Sequence, residues 1–161
     1  MRKIISRKAD PGEFDQICMM GFDTWGNAVS EAEYLSGCRA SPKYKKGIWY
    51  ILEDEGELIS SLIVYEFGDN KFGIGSLATP KHLRKQGYAS KLITWVIENI
   101  EKNNGNAILF LYSDIEPEFY GKFEFLKLPT EAQRYKTTTC MIRGKNIEKF
   151  FSDKLANPEY F

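Results

Sequence analysis

Two apolar, strand-like runs flank one long amphipathic helix near the middle of the chain, and this arrangement limits the folds open to it. Apolar residues recur every three or four positions from Tyr88 to Asn104, which predicts a helix, and Gly105 follows as a stop signal. The apolar positions are Ala89, Leu92, Ile93, Val96, Ile97 and Ile100. The flanking runs are Phe72–Thr79 and Ala107–Tyr112. A helix between two strands favours a crossover that makes those strands parallel.

The segments before this unit predict antiparallel strands. Ile4–Arg7 has the composition of a short first strand, and Gly47–Glu53 with Glu57–Phe67 forms a predicted hairpin that turns at Asp54-Glu55-Gly56. With the strand that begins at Lys71, this gives three consecutive antiparallel strands. We therefore predict an α/β (α+β) fold, in which helices flank a mixed, mostly antiparallel sheet. The length, 161 residues, favours a single domain over residues 1–161.

Capping residues predict two helices near the N-terminus. A cap at Asp10 opens a helix that runs through Met20, and a capping box at Ser30 opens a short helix that stops near Gly37. The intervening residues 22–27 are predicted to form a loop.

The last third of the chain predicts a short helix, two strands and a final helix. The short helix is Pro117–Lys122, and the strands are Phe123–Leu128 and Thr137–Arg143, the second rich in β-branched residues. Four apolar residues after Asn146 fall on one helical face, which predicts a stripe that packs onto the domain. These residues are Ile147, Phe150, Phe151 and Leu155.

The loop before the long helix has the features of an anion site. Its residues are Arg84, Lys85, Gln86, Gly87, Tyr88, Ala89 and Ser90. A glycine at the mouth of a helix lets the backbone approach an anion closely, and the N–H groups of the first turn then point at it. The helix-end partial charge adds roughly 0.3–1 kcal/mol per interaction. This sequence therefore predicts a site for a pyrophosphate.

The pattern Arg84-x-x-Gly87-x-Ala89 resembles the Arg/Gln-x-x-Gly-x-Gly/Ala signature of the GNAT family of N-acetyltransferases. The segment Pro117–Phe125 is similar to that family's Phe-Tyr-x-x-x-Gly-Phe segment, and the resemblance extends over about Ile48–Leu128. One position departs from the family pattern, because Glu124 stands where a glycine is usual. This departure predicts a turn without a left-handed residue.

The resemblance implies that residues 84–90 cradle the pyrophosphate of acetyl-CoA. The preceding strand ends at Leu77, Ala78 and Thr79, whose backbone groups are expected to pair with the pantetheine arm and to polarise the thioester carbonyl. The resemblance also implies that Tyr120 protonates the leaving sulfur as the catalytic acid. A structural tyrosine packed among neighbouring phenylalanines is the alternative for Tyr120.

The expected activity is therefore transfer of an acetyl group from acetyl-CoA to an amine, by direct attack in a ternary complex. The alternative is a coenzyme A-binding regulatory or structural domain without transferase activity. Glu66, Asp114 and Glu116 are candidate general bases, and the sequence does not rank them. A dimer is expected only at the level of the family.

The acceptor is predicted to be a small amine or a short peptide. The segment around Asp23 and Trp25, with Tyr34, pairs a carboxylate with flat apolar surfaces, which suits a cation that loses its charge. Lysine plus arginine equals aspartate plus glutamate at 22 each, so the net charge offers no hold on nucleic acid or an anionic membrane.

Cysteine and histidine usage argues against a metal site. The three cysteines, Cys18, Cys38 and Cys140, have no C-x-x-C spacing and are predicted to be buried thiols, with neither a disulfide framework nor a zinc site. The single histidine, His82, is interpreted as a surface residue, with contact to a cofactor phosphate as the alternative. No apolar run reaches 18 residues, and we expect a cytoplasmic protein.

Overall fold

The computed structural model describes residues 3–114 and 117–161, and these residues contain one seven-stranded sheet. The strands are β1 (Ile4–Lys8), β2 (Ile48–Asp54), β3 (Glu57–Gly68), β4 (Lys71–Ala78), β5 (Ile108–Ser113), β6 (Leu126–Lys127) and β7 (Thr139–Arg143). Their order across the sheet is β1-β2-β3-β4-β5-β7-β6. β4 and β5 pair in parallel, whereas β1 with β2, β2 with β3, β5 with β7 and β6 with β7 pair antiparallel. The predicted mixed, mostly antiparallel sheet flanked by helices is confirmed.

Helices connect several of these strands. They are α1 (Phe14–Met19), α2 (Phe22–Trp25), α3 (Glu31–Ala40), α4 (Pro42–Lys46), α5 (Tyr88–Asn103) and α6 (Glu118–Gly121). The apolar stripe of α5 is buried, with Leu92 and Ile93 fully inaccessible to solvent. The helix period in the sequence therefore predicted both the crossover helix and its buried face.

Left-handed residues form the tight turns of the sheet. Glu55 and Gly56 have φ values of 50° and 90° in the turn between β2 and β3. Asp69 and Asn70, at 52° and 59°, join β3 to β4. Two consecutive positive φ values match the twist of antiparallel strands, which explains why Gly, Asn and Asp occur in these turns.

The chain divides into two compact units. The first takes in the described residues up to Tyr65 together with Ser76–Glu98, and the second takes in Glu66–Gly75 and the described residues from Asn99 onward. An apolar cluster in the first unit consists of Ile17, Met20, Ile51, Leu58 and Ala78. A cluster in the second unit includes Phe110, Ile142 and Phe150. The single-domain organisation stays a prediction.

Two predictions for the N-terminal helices are wrong. Residues 22–25 form the short helix α2 instead of a loop, and α3 continues through Gly37 to Ala40. A glycine ends a helix when it adopts a left-handed conformation, and Gly37 has helical geometry instead. The helix ends before Ser41, because Pro42 disfavours the α conformation of the residue that precedes it.

Two predictions near the C-terminus are also wrong. β6 contains only Leu126 and Lys127, because Glu124 has a φ of 64° and cannot continue an extended strand. The apolar stripe after Asn146 is not one helix but two single 3-10 turns, and Leu155 is 74% exposed. The Asp153 side chain accepts a hydrogen bond from the Leu155 N–H at 2.9 Å and starts the second turn, which breaks the helical period.

Candidate active site

The loop before α5 exposes backbone N–H groups through two left-handed residues. Lys85 has a φ of 64° and Gly87 a φ of 83°. A Cβ added at Gly87 would meet no protein atom within 4 Å, so the glycine is required by the backbone conformation rather than by crowding. Arg84, just before them, is extended, with φ −71° and ψ 159°, so the chain changes direction at Lys85 and again at Gly87. Turns of this kind before a helix can form an anion-binding concavity.

The first turn of α5 supplies further donors to this loop. The first hydrogen bond of the helix runs from the Lys91 N–H to the Gly87 carbonyl, at 3.0 Å. The N–H groups of Tyr88, Ala89 and Ser90 precede this bond, and a helix offers no acceptor to the N–H groups of its first turn. Lys85, Gln86 and Gly87 are exposed, whereas Tyr88 is buried. His82 is exposed, in agreement with its interpretation as a surface residue.

Arg84 connects this loop to two other elements. Its Nη1 and Nη2 donate to the two carboxylate oxygens of Asp23 on α2, each at 2.9 Å, and its Nε donates to the Thr79 carbonyl at 2.8 Å. The Arg84 guanidinium, with a smaller contribution from Lys81, holds the pKa of the Asp23 carboxyl below its ordinary value. The positive charge of Arg84 is therefore neutralised by Asp23, and the exposed residues Lys85, Gln86 and Gly87 are left to meet an anion.

The end of β4 is held by a buried hydroxyl that the sequence interpretation missed. The Ser60 hydroxyl donates to the Ala78 carbonyl at 3.0 Å and shares a 3.1 Å hydrogen bond with the Thr79 hydroxyl. Ser60 is fully buried on β3. Two adjacent serines inside an apolar strand were the available signal, because a buried hydroxyl needs a partner.

A second missed residue, Ser76, distorts β4 just before Leu77. Its φ of 48° lies in the left-handed region, which is unusual for a strand residue and costs of order 1–3 kcal/mol. Ser76 lies near the Tyr44 side chain of α4. The parallel pairing of β4 with β5 joins Lys71–Gly73 to Ile108–Phe110, so Leu77 and Ala78 lie beyond it.

Tyr120 lies in α6, in the second unit. Its ring contacts Phe119 and Phe125 at centroid distances of 5.1 and 6.4 Å. Burial, together with the nearby charge of Asp114, raises the pKa of Tyr120 to about 12. The hydroxyl therefore stays protonated across the physiological pH range.

Glu124 corrects one expectation drawn from the family pattern. The residue does adopt a left-handed conformation, with a φ of 64°, although it is not glycine. Arg143 Nη1 donates to the Glu124 carboxylate at 2.8 Å and to the Phe123 carbonyl at 2.6 Å. These bonds stabilise a turn that glycine would form without strain.

The candidate general bases and the residues predicted to bind the acceptor do not all lie in one cleft. Asp114 accepts a hydrogen bond from the Tyr160 hydroxyl at 2.8 Å, Glu66 is exposed on β3, and Glu116 lies outside the described residues. Trp25 and Tyr34 line one cleft of about 370 Å³. Asp23 instead lines a cleft of about 380 Å³ with Lys81, so the predicted grouping of these three residues is only partly realised.

The three cysteines are free and buried, as predicted. Within residues 3–114 and 117–161, His, Cys, Asp and Glu side chains form no group of three that could hold a metal ion. No helix in the described part of the chain combines the length and apolar character needed to cross a membrane.

Solved acetyltransferase structures share this fold at low sequence identity. The PaiA N-acetyltransferase from Thermoplasma acidophilum, in complex with coenzyme A, is 15% identical and superposes with a TM-score of 0.67 over 88% of this chain and 99% of that chain. An aminoglycoside 6'-acetyltransferase type Ii is 21% identical, with a TM-score of 0.64 over 87% and 96% of the two chains.

A third neighbour is longer than this chain. N-acetylglutamate synthase from Neisseria gonorrhoeae, complexed with coenzyme A and N-acetyl-glutamate, is 18% identical, with a TM-score of 0.66 over 88% of this chain and 35% of that chain. No curated protein sequence matches.

The family assignment comes from the sequence itself. A family model described as "Acetyltransferase (GNAT) domain" matches residues 6–127, which is more than half of the chain. This range includes the loop before α5, the end of β4 and α6. The chain therefore belongs to the GNAT acetyltransferase family.

Proposed function

We propose that the protein is an N-acetyltransferase that moves an acetyl group from acetyl-CoA to an amine by direct attack in a ternary complex. The observation that carries this proposal is the loop at residues 84–90, where left-handed Lys85 and Gly87 precede the first turn of α5. Membership of the family and its coenzyme A-bound structural neighbours support the same cofactor.

In this proposal the backbone holds the donor. The N–H groups of Gln86 to Ser90 bind the pyrophosphate, and the pantetheine amides pair with β4 at Leu77 to Thr79 as an added strand would. Ser60 keeps the Ala78 carbonyl and the Thr79 hydroxyl in place through its two hydrogen bonds. The N–H groups at this strand end polarise the thioester carbonyl.

The acceptor is a small amine or the amine of a short peptide, and it must be neutral to react. With a lysine-like pKa of about 10.4, deprotonation at pH 7 costs on the order of 4–5 kcal/mol. The nitrogen lone pair forms the new N–C bond, and the C–S bond breaks. Coenzyme A leaves as a thiolate that takes up a proton, and the acetylated nitrogen loses one.

Tyr120 is proposed to stabilise the leaving sulfur. Its pKa of about 12 exceeds that of a thiol, about 8.5, so complete proton transfer from tyrosine to thiolate is uphill by roughly 5 kcal/mol. Hydrogen-bond donation to the developing negative charge avoids this cost. We therefore assign Tyr120 as a hydrogen-bond donor to the leaving sulfur, and the thiolate takes up its proton from solvent.

The cofactor site is tested by calorimetry and thermal unfolding with coenzyme A. A ligand present at 100 times its dissociation constant stabilises the folded state by about 2.7 kcal/mol. Gly87→Val should abolish this stabilisation. Gly56→Val is the matched control, because Gly56 also has a left-handed φ, of 90°, and open space around its Cβ position. Both variants lose stability to the same backbone strain, and only Gly87→Val should lose the ligand effect.

The transfer step is tested by release of free thiol from acetyl-CoA. We expect turnover with small amines or short peptides and none without an acceptor. Absence of coenzyme A binding by the wild-type protein would refute the cofactor assignment. Binding without thiol release for any amine would favour the alternative of a coenzyme A-binding regulatory or structural domain.

A further inference from the structure

One cleft of the first unit combines aromatic walls with two opposite charges. Its volume is about 370 Å³, and it lies beside α3 between α2 and α4. The lining residues that carry the argument are Trp25, Glu33, Tyr34, Cys38, Lys43 and Tyr44. Trp25 is 39% exposed, an unusual state for the largest apolar side chain. A flat aromatic face open to solvent beside a carboxylate suits an organic cation.

The two charged residues of this cleft lie at opposite ends of α3. Glu33 belongs to the first turn of α3, and Lys43 lies beyond its last turn, on α4. The cleft follows α3 from Glu33 past Cys38 to Ser41. Ser41 follows Glu33 by eight positions, which corresponds to about 12 Å along the helix axis. The cleft is therefore long enough for an extended chain with a functional group at each end.

The end with Lys43 and Tyr44 is the one next to the proposed donor strand. The Tyr44 side chain lies near Ser76, and Ser76 immediately precedes Leu77. A reacting amine at the Tyr44 end would therefore be close to Leu77, whereas Glu33 lies at the opposite end of α3.

We propose that this cleft binds an elongated diamine or polyamine, with its reacting amine at the Tyr44 end and a second ammonium group between Glu33 and Trp25. This inference rests on the proposed acetyltransferase activity. The Glu33 carboxylate holds the remote cation and selects for it.

The experiment compares 1,8-diaminooctane with octylamine in the thiol-release assay. The two amines share one carbon chain and differ only in the second ammonium group. We expect the diamine to have a KM about 10-fold lower than octylamine, the effect of one charge-assisted hydrogen bond, with a similar kcat. In Glu33→Gln this difference in KM should disappear. Glu31→Gln is the matched control, because Glu31 lies in the same exposed first turn of α3 and the difference should persist.

The outcomes separate this inference from the proposed function. Equal KM values for the two amines in the wild-type protein, or an unchanged difference in Glu33→Gln, would overturn the assignment of the cleft while acetyl transfer stands. No turnover with any diamine, in a protein that binds coenzyme A, would overturn it as well. Failure to bind coenzyme A at all would instead refute the proposed function. Urea unfolding of each variant verifies that the fold is retained.

Discussion

Replacing Arg84 by alanine should lower the free energy of unfolding more than replacing its ion-pair partner Asp23, because Arg84 also bonds a backbone carbonyl. Asp23→Ala removes only the paired charges, and the two side chains are 40% and 36% exposed, so the pair is worth about 0.5 kcal/mol. Arg84→Ala also removes the donor to the carbonyl of Thr79, a residue that is only 9% exposed. A buried carbonyl without a partner costs about 1–3 kcal/mol. We therefore expect a loss of about 2 kcal/mol for Arg84→Ala.

Urea unfolding of the two single variants and the double variant measures these terms. The double-mutant cycle should give a coupling energy of about 0.5 kcal/mol between the two residues. Because the folded-state pKa of Asp23 is lowered, this coupling is present above the pKa of an unfolded aspartate, about 3.9. It is lost as the pH falls through the folded-state pKa.

The ion pair between Asp15 and Arg39 is the control. It is also bidentate, with donor–acceptor distances of 3.0 and 2.5 Å, and its side chains are 48% and 56% exposed. Within the described residues Arg39 makes no additional bond to a backbone carbonyl, so the two alanine variants of this pair should cost about the same. Equal costs for Arg84→Ala and Asp23→Ala would refute the reasoning, since the Thr79 bond would then contribute nothing.

Two further predictions concern the second unit. Tyr120→Phe keeps the ring and should lower turnover by roughly 10²–10³-fold with coenzyme A affinity nearly unchanged, whereas wild-type turnover would show that the residue only packs. Glu124→Gly should change the free energy of unfolding in urea by less than about 1 kcal/mol. Relief of the left-handed strain favours the variant, whereas the greater entropy of glycine in the unfolded chain and the loss of an exposed ion pair oppose it. Glu124→Val should cost at least about 2 kcal/mol, because β-branched residues avoid this conformation, and equal stabilities for the two variants would contradict the assigned strain.

Local patterns predicted the elements whose determinants are close in sequence. The period of apolar residues in α5 and the turn at Glu55 and Gly56 specify their structures without distant partners. The bond between Arg84 and Asp23 joins residues 61 positions apart, and no local pattern encodes it. The left-handed backbone at Ser76 depends in the same way on surrounding structure.

A short motif and its position between a strand and a helix predicted an anion site in the loop at residues 84–90. The structure adds what the motif does not specify, namely that the arginine is neutralised by a carboxylate and that Lys85 shares the left-handed geometry of Gly87. The sequence did not predict α2, because four residues are too few for a helical period to appear. The break before Leu155 was also not predicted, because the Asp153 side chain caps the backbone locally.

The division into two units has a consequence for the order in which the chain acquires its structure during synthesis. Neither unit is one continuous segment, because the polypeptide leaves the first after Tyr65, returns to it at Ser76, and leaves it again after Glu98. A ribosome must therefore complete most of α5 before the first unit has all of its residues. No single truncation can separate the two units, and a nascent chain that stalls in β4 would expose the apolar faces of β2 and β3 to chaperones.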